Sequence, residues 1–289
     1  MGALFGVAGN SDTFLQTVSK SSLDAPGWLS SIGLDCYEYQ CGRGVRVRED
    51  TARALGEKAR QAGIALSIHA PYFISLSNPA PESLEKNIGY VTASCRAAVW
   101  MGADRVVLHS GALMKRSRRE ALEIAGDSLR AILRACDEQG LGEITLCPET
   151  MGKINQLGDL DEVLELCSLD ERLLPCVDFG HLYARSLGAE NGSEACRAML
   201  DKMEHALGAE RAGRFHSHFS KIEFTLKGGE NRHLRFQDPG WGPDFPPLAR
   251  ELVRRGWSPR IICESAGTQS EDALAMKQCY EILRKEVES

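Results

Sequence analysis

No two of the ten cysteines in this 289-residue chain are spaced as CxxC. Most of them lie in apolar runs, which suits reduced core residues better than zinc ligands or a disulfide framework. There is no early apolar segment followed by a cleavage site, and no run long enough to cross a bilayer. The expectation is a cytoplasmic protein with no membrane partner. The opening MGALFG lacks the Ser or Thr that an N-myristoylation signal wants. A positive excess is also missing, since 34 Lys and Arg stand against 40 Asp and Glu. A polyanionic partner would need a local positive feature, such as metal ions, to overcome that average field. No GxGxxG opens the first helix, which argues against a dinucleotide-binding doubly wound sheet. No linker, charge block or low-complexity stretch marks a second domain.

What is present is a repeated alternation. Short β-rich runs fall at 3–9, 32–40, 64–70, 104–110, 143–149, 173–180, 214–221 and 260–266. Between them lie amphipathic stretches such as REDTARALGEKARQAG and SRREALEIAGDSLRAILRACDEQG, with apolar spacing near 3.6 and a closing glycine. Eight strands alternating with helices predict an α/β fold, a single-domain (β/α)8 TIM barrel over 1–289. A long irregular segment at about 222–247 follows the seventh strand, and loops of that length inside compact domains are usually functional.

The strand ends carry unusual residues for a core. PCVDFGHLYA (175–184) sets Asp178 and His181 directly after a buried run, and unpaired charge there is costly. The other ends supply His69, His109, Glu149, His216 with His218, and Glu264. Only His205, of seven histidines, falls in a predicted helix. Any one of these side chains has a bland reading as a hydrogen-bonded or capping residue. Six successive strands converging on one mouth with only His, Asp and Glu do not, because several carboxylates would repel one another without cations between them. Mixed nitrogen and oxygen donors in this number suit Zn²⁺, Mn²⁺ or Fe²⁺ in two or three sites. No Ser-His-Asp arrangement offers itself as an alternative.

LSIHAPYFISL (66–76), VVLHSG (106–111), PETMGK (148–153), VDFGH (177–181), FHSHFSK (215–221) and IICESAG (261–267) resemble, in order, the endonuclease IV family. These are family-2 apurinic/apyrimidinic endonucleases (deoxyribonuclease IV) on a xylose isomerase-like barrel. The resemblance implies a base-excision-repair hydrolase that incises damaged double-stranded DNA 5′ to abasic sites with metal-activated hydroxide. It implies two or three zinc ions, with manganese or iron as substitutes, and no obligate protein partner. His69 and His109 would hold one metal, with Glu149 bridging to a second completed by Asp178, His216 and Glu264. His181 and His233 would hold a third. Glu149 and Glu264 would be the catalytic carboxylates, and Tyr72, Lys221 and Arg232 the substrate contacts.

Two departures from the family pattern stand out. GGENRHLRF places Asn231 where the family has a metal-binding Asp, so Glu230 is the substitute on offer, and His218 is expected to support the ligands rather than join them. The second-strand loop offers only Arg43, Arg46 and Arg48 to DNA. The basic run KRSRRE (115–120) reads as a solvated helix start in preference to a DNA track, and Trp241 and Phe245 as loop packing in preference to base stacking. A sugar or sugar-phosphate isomerase or epimerase on the same metal-binding barrel is the alternative. A non-catalytic barrel that keeps metals for stability ranks last.

Overall fold

Eight parallel strands close into a barrel in the computed structural model, which describes residues 2–288. In chain order these are β1 (Leu4–Ala8), β2 (Cys36–Gln40), β3 (Ala65–His69), β4 (Arg105–His109), β5 (Thr145–Glu149), β6 (Cys176–Asp178) and β7 (His216–Phe219). Next come β8 (Lys221–Thr225) and β9 (Gly229–Leu234), then β10 (Arg260–Cys263). The barrel runs β1-β10-β7-β6-β5-β4-β3-β2 and back to β1, while β8 and β9 form a separate antiparallel pair. Each run expected from the sequence holds one barrel strand. The segment expected to be irregular differs: its first half is this hairpin, whose alternation was masked by a bulge.

Helices form where the apolar spacing and the caps agree. The helix Glu49–Ala62 stops at Gly63, whose φ of 69° is the left-handed conformation that glycine adopts without strain. The helix Arg118–Glu138 begins with a capping box, Ser117 accepting from the backbone of Glu120 while the Glu120 side chain returns to Ser117. At Gly6 the strands approach so closely that a Cβ would lie 1.9 Å from the Cys36 carbonyl oxygen, so glycine allows β1 and β2 to meet. The core is an apolar layer between strands and helices, including Phe5, Ile68, Val106, Leu129 and Phe215. All ten cysteines are free, nine of them buried. No helix among the described residues is long and apolar enough to cross a membrane.

The two loop aromatics pack, as expected. Trp241 stands edge-on to Phe224 at 5.1 Å, and Phe245 is buried against Phe5 and Phe219. The basic run is also a helix start: Arg118 pairs with Glu162, and Arg119 with Glu123 and Glu165.

Candidate metal centre

Parallel strands in a barrel all end at one mouth, so the last residues of β3, β4, β5 and β6 are brought together whatever their separation in sequence. His69, His109, Glu149 and Asp178 are those last residues, and Glu264 directly follows β10. His181 arrives differently. Asp178 is the N-cap of the helix Phe179–Arg185, its Oδ1 accepting from the His181 backbone N–H at 2.8 Å. The three-residue spacing is thus a capping geometry, and it leaves Asp178 Oδ2 buried with no hydrogen bond, 3.3 Å from the His181 Nδ1 that is already bonded to a carbonyl.

Glu149 is the hub. Its Oε2 lies 3.3 Å from Nε2 of both His69 and His109, and its Oε1 lies 3.0 Å from Nδ1 of His218. Donor atoms of Glu149, Asp178, His218 and Glu264 fall within 4.8 Å of one another, as do those of His181, Glu230 and His233.

Nearest-neighbour hydrogen bonds set the histidine tautomers. Nδ1 of His69 contacts the Ala70 carbonyl at 2.7 Å, that of His109 the Tyr72 carbonyl at 2.9 Å, and that of His181 the Thr150 carbonyl at 2.8 Å. Carbonyls only accept, so each ring donates from Nδ1 and offers an Nε2 lone pair to a carboxylate oxygen. Two acceptors facing each other at 3.3 Å repel unless a cation sits between them. Metal-binding histidines characteristically donate their other N–H in this way. Together with the orphaned Asp178 oxygen, this donor set could hold metal ions.

In their absence protons take that place. Burial opposes a charge on His69, but the Glu149 carboxylate outweighs it and pushes the ring up to about 9. Burial likewise opposes a charge on His181, and Asp178, then Glu230, push it up to about 9. Glu149 is penalised by burial, yet His218 above all holds its carboxyl well below the usual range. Asp178 moves the other way, raised chiefly by its burial. The direction of each shift is set by whether a partner of opposite sign is close enough to offset desolvation.

The structure differs from the expected ligand set at β7. His216, expected to complete the second metal site, lies deeper in the barrel with its Nε2 2.9 Å from Glu38 Oε2. Burial lowers that ring to about 4, which keeps it neutral, and its Nδ1 has no hydrogen-bond partner. His218, expected to stand behind the ligands, is the ring beside Glu149, Asp178 and Glu264. The reason is register: β6 pairs Cys176 with His216 and Asp178 with His218, so the later histidine is the one level with the mouth.

The hairpin accounts for Asn231. Glu223 pairs with Arg232 and Phe224 with Glu230, so Asn231 is the extra residue of a bulge. Its side chain turns out to Glu223 at 2.8 Å, and Glu230 is aimed inward, with Oε2 3.6 Å from His181 Nε2. His233 faces the His181 ring at 5.6 Å and is held through Nδ1 to Ser220 Oγ at 2.8 Å.

Of the expected substrate contacts, Tyr72 lines the mouth and is exposed. Lys221 does not line it: its ammonium donates to the Asp238 carbonyl at 3.3 Å beside a separate hollow with Phe236. Arg232 is paired to Glu223 on the outer surface of the hairpin, at 2.7 Å. The mouth is a cleft of about 280 Å³ whose other lining residues include Gln40, Met151, Lys153 and Gln156. Lys153 is the one lysine or arginine in that lining, and among the described residues its ammonium makes no ion pair. Lys153 closes the PETMGK motif but has no role assigned from the sequence, and Glu38, a buried acid in the middle of β2, lies outside the quoted motifs, its available signal being an acid inside a strand run. A larger hollow of about 710 Å³ lies at the opposite end, around the Arg260–Asp104 ion pair, and its lining includes no histidine.

Comparison with known proteins bears on the barrel and its family. The uncharacterized protein MJ0133 of Methanocaldococcus jannaschii is 32% identical over 277 residues, covering 96% of each chain. The probable endonuclease 4 of Shouchella clausii is 26% identical over 226 residues, 74% of each chain. Among solved structures, a D-tagatose 3-epimerase-like protein superposes with a TM-score of 0.74 at 18% identity, covering 98% of this chain and 99% of that one. Endonuclease IV from Thermus thermophilus does so at 0.66 and 20% identity, with the same coverage. Residues 26–285 match the xylose isomerase-like TIM barrel family, and the chain belongs to that family.

Proposed function

We propose that the protein is a metal-dependent phosphodiesterase of the endonuclease IV type, acting on damaged double-stranded DNA beside abasic sites. The observation that carries this reading is the size and linkage of the donor set. Glu149 belongs both with His69 and His109 and with Asp178, His218 and Glu264, and His181, Glu230 and His233 form a further group. That is more than one ion needs, and it suits two or three ions, zinc first, with manganese or iron as substitutes. Bound metal ions would supply Lewis acidity, lowering the pKa of water toward neutrality and neutralising phosphate charge. Glu149 would be shared by two such ions, and the carbonyl-anchored rings of His69, His109 and His181 would present their Nε2 lone pairs without reorganisation. Lys153 and Tyr72 line the cleft, where the ammonium would meet a phosphate oxygen and the ring would stack on an exposed base or sugar.

A cleft of about 280 Å³ is small, and its size favours a second reading, a keto-sugar isomerase or epimerase using the same donors. The deciding assay is incision of a duplex oligonucleotide carrying one abasic-site analogue, with zinc and with manganese, beside an undamaged control. Cleavage on the 5′ side of the lesion alone is expected. A folded, metal-loaded protein that leaves the lesion intact but epimerises a ketose would replace the first reading by the second.

A further inference from the structure

His218 is the exception among the mouth histidines. The rings of His69, His109 and His181 donate from Nδ1 to backbone carbonyls and present Nε2. His218 is reversed: its Nε2 lies 2.9 Å from Glu38 Oε1, and its Nδ1 points at Glu149 and Glu264, at 3.0 and 3.6 Å. Glu38 is fully buried on β2. Its oxygens also accept from Ser67 Oγ at 2.9 Å and Gln40 Nε2 at 3.2 Å, and they meet His216 Nε2 at 2.9 Å. An ionised carboxylate only accepts, so the ring nitrogen that faces Glu38 must carry the proton. With Nε2 committed to Glu38, Nδ1 is the nitrogen that faces Glu149 and Glu264, and its lone pair is the one a cation among those carboxylates would take in place of a proton.

We propose that Glu38 is a positioning residue that commits His218 to bind a metal ion through Nδ1, alongside Glu149, Asp178 and Glu264. A carboxylate behind a metal-binding imidazole fixes ring orientation and raises its basicity as a ligand. His216 is the second arm of the device. Its buried ring holds Glu38 Oε2 through Nε2 at 2.9 Å, so the carboxylate stays behind His218 instead of swinging into the mouth. Four donors around one acid also offset much of the cost of burying its charge with no lysine or arginine hydrogen-bonded to it. The inference rests on the metal-binding part of the proposed function and is independent of the substrate.

The test is Glu38→Gln, titrated with Co²⁺ against a chromophoric chelator and followed by the visible absorption of the bound cobalt. The amide can accept from one histidine only and confronts the other with its own N–H groups. One class of site is expected to weaken by about 10- to 100-fold with an altered cobalt spectrum, while the others keep their affinity and far-UV circular dichroism is unchanged. Unchanged affinity and spectrum at every site would overturn the proposal. Should the variant fail to fold, the wild-type protein answers through ¹⁵N-histidine labelling and loading with ¹¹³Cd. One ring coupled to cadmium through Nδ1 among others coupled through Nε2 is the expected pattern, and coupling through Nε2 alone sinks the proposal. A wild-type chain that takes up neither cobalt nor cadmium would remove the metal reading itself, which separates that failure from this one.

Discussion

Glu230 Oε2 stands 3.6 Å from Nε2 of His181, while its neighbour Asn231 faces away toward Glu223. A one-residue bulge has exchanged which of two adjacent side chains enters the mouth. Glu230→Gln is therefore expected to lower bound metal by about one equivalent, whereas Asn231→Asp leaves the metal content unchanged. Gly152→Ala should act like the first variant, because its Cβ would lie 2.7 Å from Glu230 Cβ and 2.8 Å from Glu230 Oε2. Metal analysis after exhaustive dialysis decides it. A rise in metal content for Asn231→Asp would show that Asn231 reaches the site after all.

Glu149→Gln removes the one charge shared between donor groups. The loss of electrostatic stabilisation is of the order of several kcal/mol, or about two orders of magnitude or more in turnover, with the fold retained. Steady-state incision rates, together with circular dichroism to show an intact barrel, provide the check. Full turnover in this variant would rule out the mechanism.

Protons and metals compete for the same lone pairs, which gives a sign to the pH dependence. In the metal-free protein His69 and His181 titrate at about 9, above the ordinary value of 6.5. Folded-state values raised above the unfolded ones mean that protonation stabilises the metal-free fold. That contribution is fully present below about pH 6.5 and fades as pH climbs to about 9. Metal affinity runs oppositely, rising with pH over the same interval as the rings lose protons. Chelator-treated protein should thus melt lower at about pH 9 than at about pH 6.5, and metal should raise the melting temperature most at the higher pH. A melting temperature for the chelated protein that is flat or rising across this interval would contradict the account.

Lys153 distinguishes an anionic from a neutral substrate. Lys153→Ala is expected to raise KM for an abasic duplex by about tenfold, the equivalent of ~1.4 kcal/mol, with kcat changed little. Raising the ionic strength should narrow the gap between variant and wild type, since an exposed charge is readily screened. An identical KM in both proteins would take Lys153 out of the substrate site.

Much of the fold was legible because its signals are local. Each barrel strand is a short β-rich run, each helix has an apolar face and a stop, and His69, His109, Glu149, Asp178 and Glu264 mark strand ends that any closed parallel barrel must bring together. The sequence by itself determined that acids and imidazoles meet at one mouth, in numbers that call for cations. Which of them face into that mouth was decided elsewhere. His216 and His218 share a strand face under the two-residue period, and only pairing with β6 sets which is level with Asp178. Asn231 and Glu230 are adjacent, and only the bulge against β8 turns one in and the other out. Glu38 reads as an ordinary acid in a strand, and its place behind His218 exists only once β2 and β7 curve around the same interior, 180 residues apart in the chain. Local patterns encode elements and their ends, whereas register, bulges and barrel closure are properties of pairs of strands that tertiary structure alone assembles.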